Sequence, residues 1–185
     1  MKSKEKGWVS NLLGWGEKRQ SETHERLYAA AIEIARRPVL FTDHGVRDDV
    51  DGRFDALSLV VALVMRRLKG LDEEGRELSQ QLFDSMFADM DLSLREMGAG
   101  DLGVSKRVRV MAEAFMGRLD AYSTAIDAND RDALAAALER NLLRGTDSPD
   151  ALASGLVDYV FGLVEALDKV APEELLDGRL TLPVD

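Results

Sequence analysis

Apolar residues recur at spacings of three and four along most of this chain, which is the period of an amphipathic helix. In the run from Ser21 to Arg37, Leu27, Ala30, Ala31 and Ile34 share one face, and Pro38 closes the helix by disfavouring helical geometry at Arg37. Val39 to Gly52 mixes β-branched and aromatic residues with Asp43, Gly45, Asp48, Asp49 and Asp51, a pattern that predicts a loop of turns. Arg53 to Lys69 is apolar nearly all round and predicts a central helix covered on most sides, with Asp51 as its N-cap and Gly70 as its stop.

The following segment, Glu73 to Met97, carries Leu78, Leu82, Met86, Met90 and Leu94 on one stripe and stops at Gly98. After the Gly98-Ala-Gly100 break, Asp101 opens a helix through Ile126 with Val104, Val108, Met111 and Phe115 inward, so these two segments predict a helical hairpin. Arg131 to Leu143 is a further amphipathic helix, stopped by Gly145. Ser148 and Pro149 then supply a cap and a first helical position for a helix through Lys169. The expected fold is an all-α, compact single-domain bundle of six to seven helices with a central apolar helix and a hairpin. Its divisions are a basic, amphipathic segment over 1–20, a helical domain over 21–176 and a loose tail over 177–185.

Composition fits that picture and narrows the partners. The 185 residues are 45% hydrophobic and 31% charged, enough apolar material for a real core. The formal charge of -10 opposes nonspecific binding to nucleic-acid phosphate, so no direct nucleic-acid partner is expected. The absence of cysteine removes disulfides, thiolate metal sites and thiol nucleophiles and suits a reducing, cytoplasm-like compartment. The apolar run from Phe54 to Met65, interrupted by Asp55 and Ser58, falls short of the roughly 20 residues that span a bilayer. At the N-terminus, Lys2, Lys4 and Lys6 precede Trp8, Leu12, Leu13 and Trp15, of which Trp8, Leu12 and Trp15 share a face in a helix. Such a segment either contacts an anionic membrane surface or covers the core with its tryptophans.

Candidate chemistry is sparse. His24 and His44 belong to no metal-binding motif. Aligning Gly52 with the turn glycine of a calcium loop puts Arg47 and Ser58 where carboxylates are required, so the match fails and no metal or other cofactor is expected. No phosphate-binding glycine loop and no nucleophile elbow occurs. Asp89 and Asp91, two apart on a helix, point to different faces rather than to one scissile bond. No catalytic constellation emerges, and the chain is expected not to be an enzyme. The densest segment is Leu82 to Arg118. There Asp84, Asp89 and Asp91 on one arm could face Lys106, Arg107 and Arg109 on the other, either tying the hairpin together or presenting a charged surface, and Met86, Met90, Met97, Met111 and Met116 give flexible side chains suited to irregular cores and adaptable surfaces.

Three stretches resemble the ubiquinol–cytochrome c chaperone family: Val46-Arg-Asp-Asp-Val-Asp-Gly-Arg-Phe-Asp55, Leu82 through Arg107, and Met111-Ala-Glu-Ala-Phe-Met-Gly-Arg118. Family members commonly have Tyr where Met116 stands and Val where Ala99 stands. The resemblance implies a noncatalytic assembly factor that binds newly synthesised cytochrome b while the respiratory quinol–cytochrome c oxidoreductase is built. A small partner protein or the ribosome, and peripheral contact with the membrane, are further partners that it implies. It places the work at the cytoplasmic face of the bacterial inner membrane. The residues carried over as a client-binding surface are Asp49, Gly52, Arg53, Asp89, Asp91, Arg95, Glu96, Gly98, Gly100, Asp101, Lys106 and Arg107. Trp8, Leu12, Leu13 and Trp15 are the expected membrane contacts. The alternatives are a helical adaptor for another soluble protein, and a divalent-metal enzyme using the Asp-rich loop.

Overall fold

A computed structural model describes residues 22–96, 98, 101–147 and 149–182, with the side chains of residues 101 and 102 outside that description. The described residues form helices and connections, with no strand among them. We number the helices α1 (22–35), α2 (Pro38–Thr42), α3 (Val50–Lys69), α4 (Glu73–Glu96), α5 (Asp101–Asp127), α6 (Arg131–Asn141), α7 (Pro149–Lys169) and α8 (Pro172–Leu176). The all-α bundle with a central apolar helix and a hairpin is therefore the observed fold.

α3 is central because its sequence leaves it no wet face over most of its length. From Ala56 to Met65 every residue is buried, and α4, α5 and α7 all pack against it. Burial of that area at roughly 25 cal/mol per Å² is the main drive for the bundle. Phe83 and Phe87 of α4 pack on Phe115 of α5 with ring centroids 5.7 and 5.9 Å apart, which fixes the antiparallel hairpin. Asp55 meets Arg118, and further along the same two helices Arg66 meets Asp127, so α3 and α5 run parallel. α1 lies along α4, held by His24 to Ser85 at 2.8 Å and by the Tyr28 hydroxyl donating to Asp89 at 2.8 Å.

Three local expectations are corrected. The stretch expected to be a loop of turns contains α2, where Pro38, with its fixed φ, opens a single turn and Leu40 is buried under it. The cap of α3 is Asp49 rather than Asp51. Asp49 has extended backbone and its carboxylate accepts the Gly52 N–H at 2.8 Å, whereas Asp51 lies in the first turn, where its charge suits the helix dipole. The tail expected to be loose is packed through residue 182: Leu180 and Leu182 are buried, Arg26 of α1 donates to the Asp177 carbonyl, and Arg37, between α1 and α2, donates to the Leu182 carbonyl. The basic N-terminal segment lies outside the described residues.

Candidate functional site

The parallel course of α3 and α5 brings the charged loop before α3 to the side of the hairpin. Asp55 pairs with Arg118, so Val50 at the start of α3 is level with the middle of α5, and residues 101–112 run on past it for about 18 Å at ~1.5 Å per residue. The outer half of the hairpin thus extends beyond the central helix. Leu94 and Val104 close it from inside, buried but separate from the main core.

The joint between loop and hairpin is an ion cluster that the sequence reading missed. The Asp55 carboxylate, almost wholly buried, lies 2.7 Å from Arg118 Nη1 and 2.5 Å from Arg144 Nη2. Arg144 donates a hydrogen bond to Oδ2, whereas the Arg118 approach is too poorly aligned to be one and acts as a charge contact. Arg118 also lies over the Phe54 ring at 5.9 Å. The signal in the sequence was Asp55 itself. A lone carboxylate within a helix apolar on every side must find cations, and Arg118 closes one of the three stretches that carried the resemblance. The nearby Tyr122 phenol is pushed far up, first by burial.

Around this joint, Asp49 caps α3 and pairs with Arg47 at 2.5 Å, and Arg53 pairs with Asp48 at 2.7 Å, the hydrogen bond raising the pKa of its guanidinium. Gly52 lets the chain close on itself, because a Cβ there would sit 2.0 Å from the Arg47 carbonyl oxygen. On α4, Asp89 accepts from Tyr28, and Asp91 and Arg95 pair at 2.5 Å, which holds the Asp91 carboxyl below its usual range. Glu96 and Gly98 are exposed, and Gly98 ends α4 with φ 86°, a geometry suited to glycine. Lys106 and Arg107 are exposed on α5. Gly100 and the side chain of Asp101 lie outside the description, as do Trp8, Leu12, Leu13 and Trp15.

The expected ion pairing between the hairpin arms is corrected. Asp84 accepts from Gln80, Asp89 from Tyr28 and Asp91 from Arg95, while Arg109 donates to Glu113 on its own helix. Residues on one helix four apart meet with little rearrangement. Aromatic packing joins the arms instead, leaving Lys106 and Arg107 facing water. Asp48 and Asp49 of the loop are engaged by Arg53 and Arg47, Asp43 accepts from Thr42, and no group of three or more metal-ligating side chains occurs among the described residues.

Large apolar groups are left in water both at the start of α3 and along the hairpin. Val50 is 68% exposed, Val110 56%, Leu92 55% and Met116 51%, the first beside the loop and the others on the hairpin.

A solved structure described as the Cbp3 homolog from Brucella abortus superposes on 95% of this chain and 97% of its own, with a TM-score of 0.84 and 35% identity. The ubiquinol-cytochrome-c reductase complex assembly factor 1 of Xenopus laevis is 30% identical over 152 residues, 82% of this chain and 75% of that protein. The class is thus an all-helical assembly factor. More narrowly, the model of the family described as ubiquinol-cytochrome C chaperone matches residues 42–182, and the chain belongs to that family.

Proposed function

We propose that this chain is a noncatalytic chaperone that binds newly synthesised cytochrome b during assembly of the quinol–cytochrome c oxidoreductase. The observation that carries the reading is the exposure of large apolar side chains at the start of α3 and on the projecting hairpin, Val50, Leu92 and Val110, on helices that also expose the charged groups of Arg53, Arg95, Glu96, Lys106 and Arg107. A membrane protein emerging into water presents apolar helices, and each Å² it buries is worth roughly 25 cal/mol. Apolar contacts with these side chains would hold such a helix. The exposed charges would act mainly on encounter and register, since exposed ion pairs add only ~0.2–1 kcal/mol each. Asp49 and Gly52 belong to the same surface as the residues that set the loop's shape, and Asp89 and Gly98 as those that fix the α4 arm.

The test is photo-crosslinking from positions 50 and 110 in cells that make the respiratory complex, followed by mass spectrometry. Cytochrome b is expected among the adducts, and deletion of the gene should reduce its accumulation. Normal accumulation without the gene would overturn the proposal. Recovery of an unrelated protein at both positions would favour the adaptor alternative.

We place this work at the cytoplasmic face of the inner membrane. No helix of the described residues is long and apolar enough to cross a membrane, so contact there would be peripheral. The sequence of the first residues suits such contact, with Lys2, Lys4 and Lys6 preceding Trp8, Leu12, Leu13 and Trp15. The full chain is expected to bind liposomes containing anionic lipid at least several-fold more tightly than a truncated chain beginning at Ser21. Equal binding would remove the tryptophans from any membrane role.

A further inference from the structure

The second half of α7 carries an open groove of about 590 Å³. Its floor is Phe161, Gly162 and Val164, and it runs from Asp158 to Lys169, about 16 Å at ~1.5 Å per residue. Val164 is buried, Phe161 is half-buried under the Arg131 guanidinium at 5.2 Å, and Gly162 is exposed with nothing within 4 Å of the Cβ it lacks. The charges beside this floor are balanced, Asp158 by Arg131, Asp168 by Arg67 and Glu165 by Lys169. Reach and apolar content therefore select the occupant, not the charge of the groove.

The chain itself supplies an occupant within reach. α1 runs parallel to α4, since His24 meets Ser85 and Tyr28 meets Asp89, and α4 starts at the end of the bundle where α3 and α7 finish together, with Arg67 beside Asp168. The start of α1 thus points toward the end of α7. The Thr23 carbonyl oxygen would lie 2.6 Å from a Cβ on Gly178, and Gly178 follows Lys169 by nine residues that include the single turn of α8, which bounds the gap from Thr23 to Lys169 at about 25 Å. Trp15 precedes Thr23 by eight residues and Trp8 by fifteen, reaches of up to about 27 and 50 Å in extended backbone. Seven residues apart, the two tryptophans span about 10 Å in helical and up to about 24 Å in extended backbone, which brackets the length of the groove. Leu12 and Leu13 stand between them, so residues 8–15 bring the large apolar side chains that a shallow apolar floor can cover. Residues 1–21 carry Lys2, Lys4, Lys6, Lys18 and Arg19 against Glu5 and Glu17 on a chain of formal charge -10, so the field of the whole molecule attracts them without any help from the groove's own paired charges. We propose that the α7 groove is the docking site of the chain's own N-terminal segment, with Trp8 and Trp15 seated along Phe161, Gly162 and Val164. Docked there, the tryptophans are withheld from other surfaces, and an anionic membrane has to compete with the groove for them.

Trp8 and Trp15 are the only tryptophans of the chain, so its tryptophan fluorescence reports on this segment alone. In vesicle-free buffer at physiological salt, the full chain is expected to emit at shorter wavelength than a synthetic peptide of residues 1–21. Acrylamide should quench it about threefold less, as a docked state about twice as populated as the free one requires. Gly162→Gln fills the floor with an uncharged side chain and favours the helix, so the fold is kept while about half or more of the protection is lost. Met116→Asp, at an exposed position on α5, should leave the protection unchanged. Quenching equal to that of the peptide, or protection unaffected by Gly162→Gln, would overturn the proposal. Loss of protection in Met116→Asp would overturn it by placing the tryptophans on α5, and protection that disappears on dilution would overturn it by assigning the groove to the segment of a second copy. The measurement involves neither vesicles nor cytochrome b, so its outcome is separate from the liposome and crosslinking tests.

Discussion

Asp55→Ala is expected to lower unfolding stability by about 3–5 kcal/mol, the usual cost of removing one member of a buried ion pair and leaving the other charge uncompensated. Arg118 is the charge left behind. Its side chain is only 10% exposed, and among the described residues no carboxylate but Asp55 is paired to it. Arg144 is in a different position, because its side chain is 56% exposed and water can replace the lost partner. The three truncations should therefore be ordered Asp55→Ala, then Arg118→Ala, then Arg144→Ala, the last costing about 1 kcal/mol. Urea unfolding checks the order. With an m-value of ~2 kcal/mol per molar, the Asp55 midpoint should fall by about 2 M. If Asp55→Ala stays within 1 kcal/mol of the parent chain, or if Arg144→Ala is the worst of the three, the cluster is not the joint described here. Since it ties the loop before α3 to α5, Arg118→Ala should also weaken client crosslinking from position 50 under conditions where the variant remains folded.

The helices themselves were legible because their signals are local. Period, caps and stops predicted α3 to α7 with boundaries that differ by only a few residues, since an apolar stripe and a terminal Gly or Pro act within one or two turns. What the sequence reading missed depends on partners distant in the chain. α2 is one turn, too short for a period to show, and it persists because Leu40 is buried by the rest of the bundle. The segment holding Leu180 and Leu182 reads as a tail because what fixes it, Arg26 on the Asp177 carbonyl and Arg37 on the Leu182 carbonyl, lies some 145 residues or more away in the chain. The contrast is sharpest in the charges of the hairpin. Opposite signs on two arms invited a cross-arm reading, but side chains four apart on one helix meet with less loss of freedom, so Asp91 went to Arg95 and Glu113 to Arg109. The candidate surface was legible as two stretches of sequence resembling one family. That they lie side by side follows from the parallel packing of α3 and α5 around Asp55, which no spacing in the sequence specifies.

Gly52→Ala carries the second large effect, and its sign opposes the usual one for glycine in a helix. Replacing a helical glycine by alanine ordinarily stabilises by up to ~1 kcal/mol, because alanine loses less backbone freedom on folding. At Gly103 and Gly117 of α5 nothing lies within 4 Å of the added carbon, so Gly103→Ala and Gly117→Ala should show that gain. At Gly52 the added carbon would lie 2.0 Å from the carbonyl oxygen of Arg47 and 2.9 Å from its carbonyl carbon. Both are backbone atoms, which cannot turn aside as a side chain would. Either the first turn of α3 or the Arg47 peptide must move. Movement of the turn carries the Gly52 N–H away from Asp49, at about 1 kcal/mol for the lost cap. Overpacking adds about 1–3 kcal/mol, and the alanine propensity gain offsets part of the total. The net expectation is a loss of about 2–3 kcal/mol, read as a fall in thermal midpoint while the two α5 variants rise. A Gly52→Ala chain as stable as the parent would mean that the Arg47 carbonyl does not press on the helix start. The same displacement moves Val50 and Arg53, which share the proposed client face. The folded fraction of Gly52→Ala should then crosslink cytochrome b less from position 50 than from position 110, where α5 is untouched. Equal loss at both positions would indicate that global unfolding alone is responsible.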